Sequence, residues 1–201
     1  MAPTLVREAF HRDGWVFEEK VDGWRILAYK DGARVRLVSR NGCDHTRRFP
    51  DIAAAVSKLP TRTLVLDGEV AIFDQQLRSR FDWLREPDPG AIATPPILMA
   101  FDVLSHDGRQ MTRRPLRERR ARLEKVLDGG QLVLPVRRLA RNGFEEWSEV
   151  IARDYEGLVA KDEASQYEAG PTRHWLKVKQ KGWTVEEDRW QRRTQRGAPA
   201  H

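Results

Sequence analysis

Short apolar runs separated by glycine and proline turns limit what this chain can build more than any other feature. Residues 26–29 and 34–38 flank Lys30-Asp31-Gly32, and Asp-Gly between two such runs is a strong hairpin signal. Residues 16–17, 64–74, 97–104, 132–134, 157–161 and 175–179 read as further strands, with Gly68 interrupting the second of these. Arg40-Asn41-Gly42 and His106-Asp107-Gly108 read as turns, and residues 85–96, with four prolines, as a loop. Three helices are predicted. Pro50 opens one with Ile52, Val56 and Leu59 on one face, and Pro60 closes it. Leu116, Leu123, Val126 and Leu127 stripe an Arg- and Glu-rich second helix that Gly129-Gly130 ends. Phe144, Trp147, Ile151 and Tyr155 space as one face of a third. The helices do not alternate regularly with the strands, so the pattern favours α+β with antiparallel sheet over a doubly wound parallel sheet.

The chain has 201 residues, 40% of them hydrophobic and 33% charged, with a net charge of +6. That length and composition permit one sizeable core under a well-solvated surface. A basic balance favours a polyanionic partner, although many basic proteins bind none. Cys43 is the single cysteine, so no disulfide framework can form within the chain. No apolar run approaches a membrane span, and the first eleven residues hold no apolar leader core. A cytoplasmic protein is the expectation.

Glu18-Glu19-Lys20-Val21-Asp22-Gly23-Trp24-Arg25 sets a lysine beside a strand, with a carboxylate, a glycine and an arginine close behind. A lysine amine is a nucleophile only when unprotonated, and burial or nearby cations can bring that about. Taken alone, the octapeptide fits a surface lysine in a salt-bridged turn equally well. Glu69 emerges from an apolar strand, where a metal, a ligand or a half-exposed sheet face would each explain it. Lys177 and Lys179 share one strand face, which suits a phosphate between them or a solvated edge. Phe101, mid-strand, suits a core position or a base-stacking one.

The order of these segments is more informative than any one of them. Lys20-x-Asp22-Gly23-x-Arg25 comes first, then Ser39-Arg40-Asn41-Gly42, Asp67-Gly68-Glu69 and Phe101-Asp102. Glu156-Gly157-x-x-x-Lys161 and Trp175-x-Lys177-x-Lys179 follow. Together they resemble the covalent nucleotidyltransferase superfamily, and most closely the adenylation domain of ATP-dependent DNA ligases. Thr46-Arg47-Arg48-Phe49-Pro50-Asp51 and Arg114-Pro115-Leu116-x-x-Arg119-Arg120-x-x-Leu123 also resemble that branch. The resemblance implies an α+β nucleotidyltransferase (ATP-grasp-like) fold, antiparallel sheets flanked by helices around a central nucleotide cleft.

It also implies roles. Lys20 would attack the α-phosphorus of ATP and become lysyl-AMP. Glu18 would read the adenine amino group and Phe101 would stack on the ring. Glu69 and Glu156 would hold Mg²⁺ or Mn²⁺. Lys161, Lys177 and Lys179 would surround the phosphates, and their field would help keep Lys20 deprotonated. Arg25 and Arg40 would contact the ribose or a nick phosphate. Asp22, beside Gly23, would orient the lysine and the metal shell. AMP would then pass to the 5′-phosphate of nicked double-stranded DNA, and a 3′-hydroxyl would seal the break.

The expected organisation is an adenylation domain over residues 1–180 and a basic tail over 181–201. The residues after Lys179 are too few for the OB-fold domain that such ligases usually carry. A monomer is expected, with a repair protein or separate chain as a conceivable source of the OB-fold function. An RNA ligase or capping-type enzyme shares the lysine chemistry, and a non-catalytic nucleic-acid-binding module sharing the fold is the remaining alternative.

Overall fold

Alternating apolar faces sort the strands of the computed structural model, which describes residues 1–181, into two sheets. The expected tail, apart from Lys181, lies outside the described residues. The smaller sheet runs β1 (Ala2–Leu5), β10 (Pro171–Lys179), β9 (Gly157–Asp162), β2 (Trp15–Glu19). The larger runs β4 (Arg34–Ser39), β3 (Trp24–Asp31), β5 (Thr63–Ala71), β6 (Ile97–His106), β7 (Arg109–Gln110), with β8 (Val133–Pro135) added on β6. Pairing is antiparallel except for β1 on β10 and β8 on β6, which are parallel. Residues 20–23 carry the chain from one sheet to the other.

The Asp-Gly hairpin forms as expected. Asp31 pairs with Arg34, and Gly32 takes a φ of +57° in the turn. The strand expected over 64–74 ends at Ala71, because Asp74 turns the chain by accepting from the N–H groups of Gln76 and Arg78. No sequence signal pointed to β1, since Ala2–Leu5 gains its order from the edge of β10.

Three helices, α1 (Pro50–Ser57), α2 (Leu116–Leu127) and α3 (Gly143–Ala152), cover the outer faces. Ile26, Leu37, Leu66, Leu98 and Val103 of the larger sheet bury against Ile52 and Val56 of α1 and Leu123 and Val126 of α2. A second core joins Phe17, Leu158, Ala160 and Val178 of the smaller sheet to Val150 of α3. A third, with Val21, Ala71, Met99 and Val136, closes the gap between the sheets. Among the described residues no helix is long and apolar enough to cross a membrane.

The third helix is rotated from its predicted face. Phe144 and Ile151 are 60% and 50% exposed, while Glu146 and Val150 are buried. Gly143 presses on the Phe10 carbonyl so closely that a Cβ would sit 1.8 Å from its oxygen. Glu146 turns inward to accept from the N–H groups of Leu139 and Ala140 at 2.8 and 2.7 Å. These two contacts set the rotation against the weaker pull of a hydrophobic stripe. The helix stops at Ala152, and Tyr155 is buried from the turn that follows.

Candidate active site

A cleft of about 800 Å³ opens between the sheets. Of the sequence-predicted residues, Glu18, Lys20, Gly23, Arg25, Arg40, Glu69, Phe101, Lys161 and Lys177 line it. Asp22, Glu156 and Lys179 do not line it; Glu156 pairs with Lys20 and Lys179, and the charge of Asp22 acts on Lys20.

Lys20 follows directly on β2, and its N–H donates to the Gly157 carbonyl at 2.9 Å. That bond sets the residue against the start of β9. Its Nζ lies 2.6 Å from Glu156 Oε2, and Lys179 Nζ lies 3.0 Å from Glu156 Oε1. Burial pushes the Lys20 ammonium down, but Glu156, helped by Glu69 and Asp22, outweighs it and leaves the pKa above its ordinary value. The expected field that would keep Lys20 deprotonated is thus reversed, because the nearest charges are carboxylates. Burial raises Glu69 well above the carboxylate range and takes Asp22, also repelled by Glu156, to about 7. The Asp22 N–H donates to Ser79 Oγ at 2.8 Å, which ties the residue after the lysine turn to the larger sheet. Gly23 is needed for close approach, since a Cβ there would lie 2.2 Å from the Val70 carbonyl oxygen.

Lys161 sits elsewhere. It is the fifth residue of β9 counting from Gly157, so four strand rises, about 13 Å, separate it from the Lys20 end. Its Nζ is 2.5 Å from Glu18 Oε2 and lies over the rings of Phe101 and Trp175, at 4.7 and 4.2 Å from their centroids. Burial pushes this ammonium down. The three-lysine phosphate group inferred from the sequence is therefore divided. Lys179 joins Lys20, Lys177 lines the cleft between the ends, and Lys161 belongs to the aromatic end.

Phe101 owes its position to a bulge. Asp67 pairs with Asp102 and Gly68 with Ala100, so Phe101 is an extra residue on β6. A bulge bends its strand and re-aims a side chain, which here lines the cleft. Arg25 is held by a two-pronged contact, Nε to Asp67 Oδ1 at 3.0 Å and Nη2 to Asp67 Oδ2 at 2.7 Å. Tyr167 donates to the same carboxylate at 2.7 Å. Arg40 is exposed on the turn after β4, at the cleft wall.

The family described as the ATP dependent DNA ligase domain matches residues 3–179. The chain belongs to this family. The ligase domain is 32% identical over 191 residues to the multifunctional non-homologous end joining protein LigD of Mycolicibacterium smegmatis, covering 92% of this chain and 24% of that protein. It is 38% identical over 177 residues to a probable DNA ligase of Sorangium cellulosum, covering 81% of this chain and 32% of the relative. Among solved structures, the ligase domain from M. tuberculosis LigD matches with a TM-score of 0.74 at 28% identity, covering 89% of this chain and 59% of that one. A mycobacterial DNA ligase D complexed with ATP and MES matches with a TM-score of 0.73 at 27% identity, covering 90% and 60%. The chain spans about a quarter to a third of the length of these two curated relatives.

Among the described residues of the ligase domain, no group of three or more His, Cys, Asp or Glu side chains converges as a metal cage. Of the two carboxylates expected to hold a divalent cation, Glu69 lines the cleft and fits one shared with a triphosphate, whereas Glu156 is buried off the wall with its two oxygens engaged by Lys20 and Lys179. Both carboxylates act on Lys20.

Sequence reasoning assigned no role to Arg119, Arg120, Asp67, Tyr167 or Trp175. The arginines carried a usable signal. Positions 119 and 120 fall three and four residues after Leu116 and repeat the stripe that Leu123, Val126 and Leu127 continue. Both are buried in the ligase domain, and Arg119 grips Asp102 with two bonds of 2.8 Å. Asp67 and Tyr167 meet only through the fold, one hundred residues apart in sequence.

Proposed function

We propose that this ligase domain loads AMP from ATP onto Lys20 and passes it to the 5′-phosphate of nicked double-stranded DNA in the cytoplasm. The arrangement of Lys20 supports this most strongly. It lines the cleft wall, paired with a buried glutamate, while an aromatic and carboxylate-lined end for a base lies further along the same wall. In the attack, a bond forms between Nζ and the α-phosphorus, the bond to pyrophosphate breaks, and pyrophosphate leaves. The amine must first lose a proton, and Glu156 Oε2 stands 2.6 Å away to hold it. Phosphoryl transfer depends mostly on positioning and charge neutralisation. Lys177 supplies positive charge on the cleft wall, and Phe101, braced edge-on by Trp175, supplies the base platform. Glu69, on the cleft wall, would hold Mg²⁺ or Mn²⁺ together with phosphate oxygens, and the cation would supply charge stabilisation on the transferring phosphate when bound.

Incubation with α-labelled ATP and Mg²⁺ or Mn²⁺ tests the first step. Label on the wild-type protein that Lys20→Ala loses supports it, and absence of label with either metal refutes it. Offering the adenylated protein nicked DNA and nicked RNA tests the acceptor. Transfer to DNA that weakens steeply as salt rises is the expected outcome.

A further inference from the structure

Arg120 reaches the cleft wall from behind. It projects from α2, is 5% exposed, and uses three of its nitrogens on three separate anchors. Nη1 donates to Glu18 Oε1 in a very short bond. Nη2 donates to the Val136 carbonyl at 2.8 Å, and Nε donates to Glu124 Oε1, on its own helix, at 2.7 Å. Glu18 and Val136 both line the cleft, beside Phe101 and Trp175. Arg120 therefore joins two neighbouring pieces of the wall, one on β2 and one just after β8, and itself stays out of the cleft.

The consequence concerns what Glu18 can offer a ligand. An ionised carboxylate only accepts hydrogen bonds, and each of its oxygens has more than one acceptor position. Lys161 takes Oε2 and Arg120 takes Oε1, so both oxygens are fixed in direction while capacity to accept remains. A planar guanidinium on several anchors imposes orientation that a lone ammonium does not. An oriented, acceptor-only group beside a ring platform favours a ring with an exocyclic amine over one with an oxo group at the same edge, which would meet acceptor with acceptor.

We propose that Arg120 is a positioning residue that sets the base selectivity of the cleft by holding Glu18 oriented as an acceptor. The inference rests on the nucleotide-loading function proposed above, and equilibrium binding keeps the two failures distinct. ATP and inosine triphosphate differ at this edge by amine against oxo. Calorimetric affinities for both are compared in wild type, Arg120→Met and Arg120→Lys, with labelling by ATP followed in parallel. Wild type should prefer ATP. Arg120→Met should lose about tenfold of that preference, through weaker ATP binding, and Arg120→Lys should recover part of it. The saturating rate of labelling should change far less than the nucleotide affinity.

A wild-type preference retained in Arg120→Met, or equal weakening of both nucleotides, overturns the inference. So does a wild type that binds the two equally. A wild type that prefers ATP but takes no label sinks the loading reaction and leaves the selectivity test in force. Should Arg120→Met fail to fold, Glu124→Ala removes one anchor from a side chain that is 51% exposed. It should cut the preference about threefold, and an unchanged ratio there counts against the proposal.

Discussion

The two ends of the cleft hold their carboxylates in opposite ways. At the aromatic end, Glu18 is sandwiched between two cations, and both its oxygens are engaged. Below it, Asp67 and Asp102 each hold an arginine in a two-pronged grip. At the lysine end, Glu156 spans Lys20 and Lys179, while Glu69 and Asp22 crowd the same charges and are pushed toward their neutral forms. The first end is organised before any ligand arrives. At the second, a cation and a triphosphate would meet acidic groups that are not fully compensated. A base platform gains from rigidity, whereas a group that must lose a proton and change partners gains from competing partners.

The largest expected effect is at Lys20. Lys20→Ala should abolish protein-bound label while the fold, checked by circular dichroism, persists. Glu18→Gln should next destabilise the protein by about 3–5 kcal/mol in denaturant titration, since it strips a buried carboxylate from two buried cations. A cost under about 1 kcal/mol would break the claim that this end is tightly compensated. Glu156→Gln should act the other way on reactivity. With its main raising partner gone, Lys20 falls in pKa, and each unit means about tenfold more free amine at a fixed pH below it. Mass spectrometry of acylated peptides at pH 8 reads this, and equal labelling of Lys20 in both proteins counts against it.

Asp22 offers a finer measure of the same contrast. Its folded pKa of about 7 lies above its ordinary 3.8, so its stabilisation is complete below about pH 4 and is lost as pH rises through 7. Across that window it should lower stability by up to about 1.4 kcal/mol per pH unit, and Asp22→Asn should remove that slope from denaturant midpoints measured between about pH 4 and 7. The smallest effect is expected away from both ends. Phe144→Ser, on the exposed side of α3, should shift stability by less than about 0.5 kcal/mol, and a larger loss would mean that Phe144 has a partner.

Much of the architecture was legible from local pattern. The Asp31-Gly32 hairpin, the Pro50 helix start and the α2 stripe each depend on neighbours within a turn or two, which is the range over which sequence periodicity reports. The misread elements depend on distant ones. The rotation of α3 comes from the Phe10 carbonyl, and β1 exists because β10 offers an edge. Glu18 and Arg120 were visible as residues, but their pairing spans one hundred and two positions.

The sequence by itself determined the chemistry available to this chain, namely a lysine turn, an ordered series of carboxylates, aromatics and lysines, and strands that alternate to present them. Motif order survives because each segment is a short strand or turn whose geometry is local. Only the tertiary structure decided which charge meets which. It sent Lys161 to the aromatic end and Lys179 to Glu156, re-aimed Phe101 through a bulge, and placed Arg120 behind Glu18. Electrostatic effects depend on separations of a few ångströms and on burial, and neither is set until the two sheets close on each other.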